Sequence, residues 1–158
     1  MKYYIAYGSN LNVEQMQRRC PDAVPVGTAM LQGWRLAFRG SKTGSYLTII
    51  PDGEHEVPVA IWKISARDER ALDMYEGFPT FYHKNAIRLR MKLLQPTERF
   101  SCRTVTAMVY TMRPDAKPGV PTVSYVRTCL EGYTSFGLDT KYLADAVAET
   151  EYIPRCAG

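Results

Sequence analysis

Short hydrophobic runs and alternating segments recur along most of the chain, and they predict strands. Residues 57–64 form a nearly continuous apolar run, which is typical of a buried strand. From 82 to 94, apolar residues alternate with basic ones, which is typical of a strand with one buried face. Together with segments rich in aromatic and β-branched residues, this pattern predicts strands at residues 2–7, 24–31, 34–39, 46–50, 57–64, 82–94 and 105–112.

Other segments have the capping residues and spacing of helices. Asn12 and Ser65 are placed to cap two helices, and Gly77 is placed to end the second. A segment with three prolines, 113–121, separates the last predicted strand from a helical tail. We predict helices at residues 13–20, 66–75, 122–133 and 140–148. About six or seven strands and three or four helices in mixed order predict an α+β domain with a curved or closed sheet.

Composition supports one soluble domain spanning residues 1–158. The chain is 46% hydrophobic and 23% charged, which allows a real core and argues against disorder. Its net charge of +4 is small and its basic residues are scattered, which argues against a nucleic-acid partner. No apolar run reaches the ~20 residues needed to cross a bilayer, and the apolar start is broken too early for a secretory signal. We therefore expect a cytoplasmic protein with no membrane partner and leave its oligomeric state open.

The residues that usually bind metals are too dispersed to predict a metal site. Neither histidine lies at a metal-ligand spacing from the other or from a cysteine, and no C-x-x-C pair occurs. We expect the cysteines to be free thiols in a reducing compartment. The residues concerned are His55, His83, Cys20, Cys102, Cys129 and Cys156.

The segment from Tyr7 to Leu11 stands between the first predicted strand and the first predicted helix. Gly8 permits a sharp backbone path there, and the following residues present backbone N–H groups together with the Ser9 hydroxyl and the Asn10 amide. Such a turn can bind a carboxylate or a phosphate. It can equally be an ordinary strand-to-helix turn, since Gly-Ser-Asn is common turn chemistry. The glycine spacing matches neither a P-loop nor a dinucleotide fingerprint.

Glu76 lies where the second predicted helix stops, beside Tyr75 and ahead of an apolar segment that begins at Gly77. The negative end of the helix dipole and burial among aromatic residues both favour a raised pKa for this carboxyl. A general base that must return its proton benefits from such a pKa. The alternative is an exposed glutamate at a helix terminus.

The two motifs together, Tyr7 to Leu11 and Leu72-Asp73-x-x-Glu76-Gly77, resemble those of the γ-glutamylcyclotransferase-like superfamily. The resemblance extends over nearly the whole chain and implies a small mixed β-barrel flanked by helices. It implies an acid/base role for Glu76. It also implies substrate contacts at Tyr7, Gly8, Ser9, Asn10, Leu11 and, from the last strand, Tyr110.

The resemblance implies a cofactor-free enzyme that releases 5-oxoproline from a γ-glutamyl amine or γ-glutamyl amino acid. In this reaction the substrate's own α-amine attacks the γ-carbonyl, so positioning supplies much of the catalysis. Which amine leaves stays open. Two alternatives remain. One is a non-catalytic member of the same fold that binds a small metabolite. The other is a protein-interaction domain that uses the basic strand face formed by Arg88, Arg90 and Lys92.

Overall fold

The computed structural model describes residues 1–41 and 44–152. Within these ranges the chain forms five strands and four α-helices, with a 3₁₀ turn at Ser9–Leu11 and another at Thr150–Tyr152. The strands are β1 (Lys2–Ala6), β2 (Val24–Ser41), β3 (Gly44–Ile64), β4 (Tyr82–Leu93) and β5 (Cys102–Met112). The helices are α1 (Val13–Arg19), α2 (Ala66–Glu76), α3 (Val123–Ser135) and α4 (Lys141–Glu149). Cys156 lies outside the described residues.

The strands close into a small barrel in the order β1-β3-β2-β4-β5. Neighbouring strands are antiparallel, except that β1 and β5 run parallel where Tyr4 pairs with Met108. The barrel is therefore mixed, and helices flank it. The α+β class and the helix-flanked mixed barrel are both confirmed. None of the described helices has the length and apolar character needed to span a bilayer.

The prediction of six or seven strands is wrong, because two pairs of predicted strands are continuous. Segments 24–31 and 34–39 belong to β2, and segments 46–50 and 57–64 belong to β3. The pairing between β2 and β3 shifts register between Gln32 and Trp34, so that residues 52–55 of β3 lie opposite Gly33, whose φ is +83°. The charged stretch there is an irregularity inside a long ribbon, and the chain does not leave the sheet.

The predicted helix caps are present and set the ends of α1 and α2. The Asn12 side chain accepts a hydrogen bond from the Gln15 backbone N–H at 3.1 Å. Ser65 forms a reciprocal capping box with Asp68 at the start of α2. Gly77 ends α2 in the left-handed conformation, with φ of 63°. These local signals place the turn before α1 and the last residue of α2, which are the two segments that build the site.

Close packing holds α3 against the turn that follows β1. A Cβ atom added at Gly132 of α3 would lie 2.4 Å from the backbone carbon of Leu11, so only glycine allows this approach. The turn before α1 is therefore supported from behind by α3, a helix of the C-terminal tail.

The proline-rich segment 113–121 is hydrogen-bonded along β2, because the Gly40 N–H donates to the Lys117 carbonyl at 2.9 Å.

Candidate active site

A cavity of about 330 Å³ opens beside the end of β1. Side chains from β1, β3, α2, β4, β5 and α3 line it together with the turn at Ser9–Leu11. The structure brings all but one of the predicted site residues to this cavity. Those that line it are Tyr7, Gly8, Ser9, Asn10, Glu76 and Tyr110.

Leu11 is the predicted site residue that the structure does not bring into the cavity. Its side chain is fully buried in the hydrophobic core and faces Gly132 of α3. The apolar side chain is covered by α3, which packs closely on it because Gly132 has no side chain. Leu11 therefore anchors the turn, and the expectation of a substrate contact from its side chain is not supported.

Glu76 is the last residue of α2 and is partly buried, with its carboxyl at the cavity. Its Oε1 accepts a hydrogen bond from Asn10 Nδ2 at 3.3 Å. Burial raises the pKa of the Glu76 carboxyl from 4.5 to about 7, and the positive charge of Arg19 opposes this rise. The expected direction of the pKa shift is confirmed. Near neutral pH both protonation states of the carboxyl are populated, as proton exchange with a ligand requires.

The turn after β1 presents several hydrogen-bond donors. The first hydrogen bond of the turn runs from the Leu11 N–H to the Gly8 carbonyl at 3.0 Å. The N–H groups of Ser9 and Asn10 precede that bond and so have no partner within the turn. The Ser9 hydroxyl lies 3.0 Å from the Tyr75 hydroxyl. Because Ser9 and Asn10 line the cavity, this turn can hold an anionic group there.

Glycine at position 8 fits a tight space. Its φ is −127° and its ψ is −127°, a combination outside the α and β regions, and this agrees with the expected sharp backbone path. A Cβ atom at this position would lie 3.1 Å from the Tyr125 hydroxyl and 3.5 Å from Leu47 Cβ. The Tyr125 hydroxyl is held in place, since it accepts a hydrogen bond from the Leu47 N–H at 3.1 Å. The missing side chain therefore keeps this wall of the cavity open.

Tyr110 lines the cavity from β5 and is fixed at both ends. Its hydroxyl donates to Asp73 Oδ1 at 2.6 Å, and its carbonyl accepts from the Tyr7 hydroxyl at 2.6 Å. Lys84 Nζ lies 2.8 Å from the same Asp73 oxygen. Burial, reinforced by the hydrogen bond to Asp73, raises the pKa of Tyr110 far above its usual range. The phenol therefore stays neutral and keeps its orientation.

Aromatic side chains complete the walls and the mouth, and the sequence pattern did not single out the tyrosines Tyr4, Tyr46 and Tyr125 among them. Tyr4 and Tyr125 lie in the interior, whereas Tyr46 and Phe81 are 43% and 41% exposed at the mouth. Tyr46 packs edge-to-face on Tyr125, with ring centroids 5.1 Å apart. Because these tyrosines come from different strands and helices, no local spacing marks them as a group. The mouth offers an apolar surface beside a polar interior.

Arg19 was also missed by the sequence pattern, which did not distinguish it from the other scattered basic residues. Its guanidinium carbon lies 3.4 Å from the centroid of the Tyr75 ring, and the guanidinium donates to Asn10 Oδ1. The residue ends α1 and thereby reaches the end of α2. No signal within α1 indicates this contact, because it depends on how the two helices pack.

Comparison with known proteins agrees with the fold. The chain is 28% identical over 149 residues to gamma-glutamylcyclotransferase from Bos taurus, covering 88% of this chain and 73% of the relative. It is 29% identical over 147 residues to gamma-glutamylcyclotransferase from Homo sapiens, with the same coverage.

Two solved structures share the fold. A structure of gamma-glutamyl cyclotransferase has a TM-score of 0.72 at 25% identity and covers 99% of this chain and 90% of its own. The structure of YkqA from Bacillus subtilis has a TM-score of 0.74 at 18% identity and covers 98% of this chain and 55% of its own. The family model described as "Gamma-glutamyl cyclotransferase, AIG2-like" matches residues 4–141, which include both motifs. The chain therefore belongs to the gamma-glutamyl cyclotransferase, AIG2-like family.

Proposed function

We propose that the protein is a cyclotransferase that releases 5-oxoproline from a γ-glutamyl amine or γ-glutamyl amino acid. The observation that carries this proposal is the 3.3 Å contact between Asn10 Nδ2 and Glu76 Oε1 at one cavity. It joins a proton-accepting group to a turn that offers N–H donors. A γ-glutamyl substrate needs both, because its α-carboxylate must be held while its α-amine loses a proton.

The bond changes balance without any further reactant. The α-nitrogen of the substrate attacks the γ-carbonyl carbon, a five-membered lactam forms, and the bond from that carbon to the amine nitrogen breaks. Because nucleophile and electrophile belong to one molecule, correct positioning supplies up to ~7–11 kcal/mol of the barrier reduction. No electrons are transferred to or from the substrate, so the proposed reaction requires no cofactor.

The turn after β1 is assigned to the α-carboxylate of the substrate. The N–H groups of Ser9 and Asn10 precede the first hydrogen bond of the turn, and both residues line the cavity. Backbone N–H groups in such an arrangement favour a negatively charged partner. Gly8 lines the same cavity without a side chain of its own.

Glu76 is assigned to proton transfer. The ionised carboxylate accepts a proton from the α-ammonium group, and the protonated form then gives that proton to the leaving nitrogen. The second proton that the α-nitrogen loses when the lactam forms passes by the same route to the released amine, which leaves as an ammonium ion. A pKa of about 7 suits a group that must both accept and return a proton near neutral pH. The carboxyl ends the cycle in the state in which it began.

The leaving amine is assigned to the mouth of the cavity. Tyr46 and Phe81 are partly exposed there and pack on the partly buried Tyr125 and the buried Tyr82, with ring centroids 5.1 Å and 5.2 Å apart. This arrangement keeps the polar γ-glutamyl group inside and leaves the variable part of the substrate against aromatic side chains.

The proposal is tested by incubating the purified protein with a set of γ-glutamyl compounds and the matching α-glutamyl isomers. We expect 5-oxoproline and free amine in equal amounts from γ-glutamyl compounds and none from the α-linked isomers. Mass spectrometry quantifies 5-oxoproline, and calorimetry measures binding. Binding of γ-glutamyl compounds with no 5-oxoproline would instead support the alternative, a non-catalytic member that binds a small metabolite.

A further inference from the structure

A chain of contacts links α1 to the carboxyl of Glu76 through the amide of Asn10. The guanidinium of Arg19 donates to Asn10 Oδ1, and the amide nitrogen on the other side of Asn10 donates to Tyr4 Oη at 2.8 Å and to Glu76 Oε1 at 3.3 Å. Arg19 is partly buried, and Asn10 is 3% exposed. The three elements that meet here are the end of α1, the turn after β1 and the end of α2.

The donor chemistry of arginine fixes which way the amide points. A guanidinium carries only donors, so its partner on Asn10 must be the carbonyl oxygen. The NH₂ group is then directed towards Glu76 and can donate to the carboxylate. In the flipped amide, the Asn10 oxygen would face the carboxylate and the NH₂ group would face the guanidinium, and both pairs would repel. Arg19 therefore selects the one amide orientation that stabilises ionised Glu76.

A second contact holds the guanidinium itself. Its central carbon lies 3.4 Å from the centroid of the Tyr75 ring, a stacking distance at which a cation is attracted to the face of the ring. Tyr75 directly precedes Glu76 in α2, and its hydroxyl lies 3.0 Å from the Ser9 hydroxyl. The stacking therefore places Arg19 beside a residue that lines the cavity.

Among the residues that the structure describes, Arg19 is also the charged side chain that acts on Glu76. The other titratable groups that face the carboxyl are tyrosines from the surrounding elements, and burial raises the pKa of each of them, so they remain neutral near pH 7. On α2 itself, Asp73 is paired with Lys84. Burial raises the pKa of Glu76, and Arg19 opposes this rise. The neutral tyrosines that face the Glu76 carboxyl are Tyr4, Tyr7, Tyr82, Tyr110 and Tyr125.

We propose that Arg19 is a positioning residue of the site, whose guanidinium holds the Asn10 amide towards Glu76 and favours the ionised form of that carboxyl. Its role in turnover rests on the proposed function, whereas its effect on the carboxyl does not. The neighbouring Arg18 provides a matched control. Arg18 belongs to the same helix and carries the same charge, but it is paired with Glu14 and its side chain is 73% exposed.

The test compares Arg19→Met with Arg18→Met by following the Glu76 carboxyl in ¹³C-glutamate-labelled protein, with Glu76→Gln to assign its signal. We expect Arg19→Met to raise the pKa of Glu76 by about one unit, at the low end of what one nearby opposite charge produces. Arg18→Met should leave it unchanged. Arg19→Lys keeps the positive charge, so the pKa of Glu76 in this variant should stay close to the wild-type value. If Arg19→Met does not fold, Arg19→Gln carries the same measurement.

The pH profile of kcat/KM gives the second readout. With the pKa raised by about one unit, Arg19→Met should be about fivefold slower than wild type at pH 7, and the ratio should narrow towards pH 9. An unmoved Glu76 titration in Arg19→Met, or an equal shift in Arg18→Met, would overturn the proposal. Both of these results come from the titration of Glu76, which can be measured even if the protein has no activity. If the wild type forms no 5-oxoproline, the proposed function fails and the titration still decides the role of Arg19.

Discussion

Replacing Glu76 with glutamine should remove activity and at the same time stabilise the folded protein at alkaline pH. Glutamine keeps the shape and an oxygen that can accept from Asn10 Nδ2, 3.3 Å away in the wild type, but it cannot exchange a proton. We expect turnover to fall at least ~100-fold, the usual scale for losing an acid/base group. The fold should be retained, because the negative charge that the substitution removes is unfavourable at this partly buried position.

The size of the stability effect follows from the pKa of the carboxyl. A rise from 4.5 to about 7 corresponds to about 3 kcal/mol between the protonated and ionised forms. Between these pH values the folded state keeps a proton that the unfolded chain has lost, so the free energy of unfolding falls as pH rises. Above pH 7 the wild type carries the full penalty. Water that reaches the partly exposed carboxyl reduces this free-energy penalty, so about 3 kcal/mol is its upper limit.

The assay is urea unfolding of the wild type and Glu76→Gln at pH 4.5, 6 and 8. The variant should match the wild type at pH 4.5 and become more stable towards pH 8. Glu69→Gln, on the same helix, is the matched control. Although burial raises the pKa of Glu69, hydrogen bonds from Lys2 and Lys84 hold it below its usual range. The stabilisation it provides is therefore present above pH 4.5 and is lost as pH falls, so Glu69→Gln should lose stability at neutral pH.

Two results would refute this reasoning. A stability difference for Glu76→Gln that does not change between pH 4.5 and pH 8 would show that the carboxyl is not desolvated. Turnover close to that of the wild type in a well-folded Glu76→Gln would show that Glu76 does not transfer the proton. The two outcomes are independent, because the first concerns burial and the second concerns chemistry.

Other substitutions test the walls of the site and its support. Gly8→Ala adds a Cβ atom 3.1 Å from the Tyr125 hydroxyl and should raise KM several-fold with little change in the melting temperature; an unchanged KM would contradict the assigned space. Gly132→Ala places a Cβ atom 2.4 Å from the backbone of Leu11 and should cost at least about 2 kcal/mol, measured by urea unfolding. Phe81→Ala should raise KM more for a γ-glutamyl aromatic amine than for γ-glutamylmethylamide; equal effects would place the leaving amine elsewhere.

Local sequence signals predicted the pieces from which the site is built. Asn12 and Ser65 begin α1 and α2 as predicted, and Gly77 ends α2 immediately after Glu76. A cap depends on a few adjacent residues, so the sequence suffices to locate it. The strand count could not be read in this way. β2 and β3 continue through Gly33 and the charged residues opposite it because the two strands hold each other, through pairs such as Gln32 and Glu56 that are 24 positions apart in sequence.

The sequence by itself determined where the turn after β1 and the carboxyl of Glu76 stand in the chain, because local backbone conformation and capping follow from neighbouring residues. Only the tertiary structure decided their surroundings. Closure of the barrel and packing of α3 turned Leu11 into the core, and contact between α1 and α2 brought Arg19 to Asn10. Burial and charge at Glu76 depend on side chains that are distant in sequence. Their effect on its pKa therefore exists only once the chain has folded.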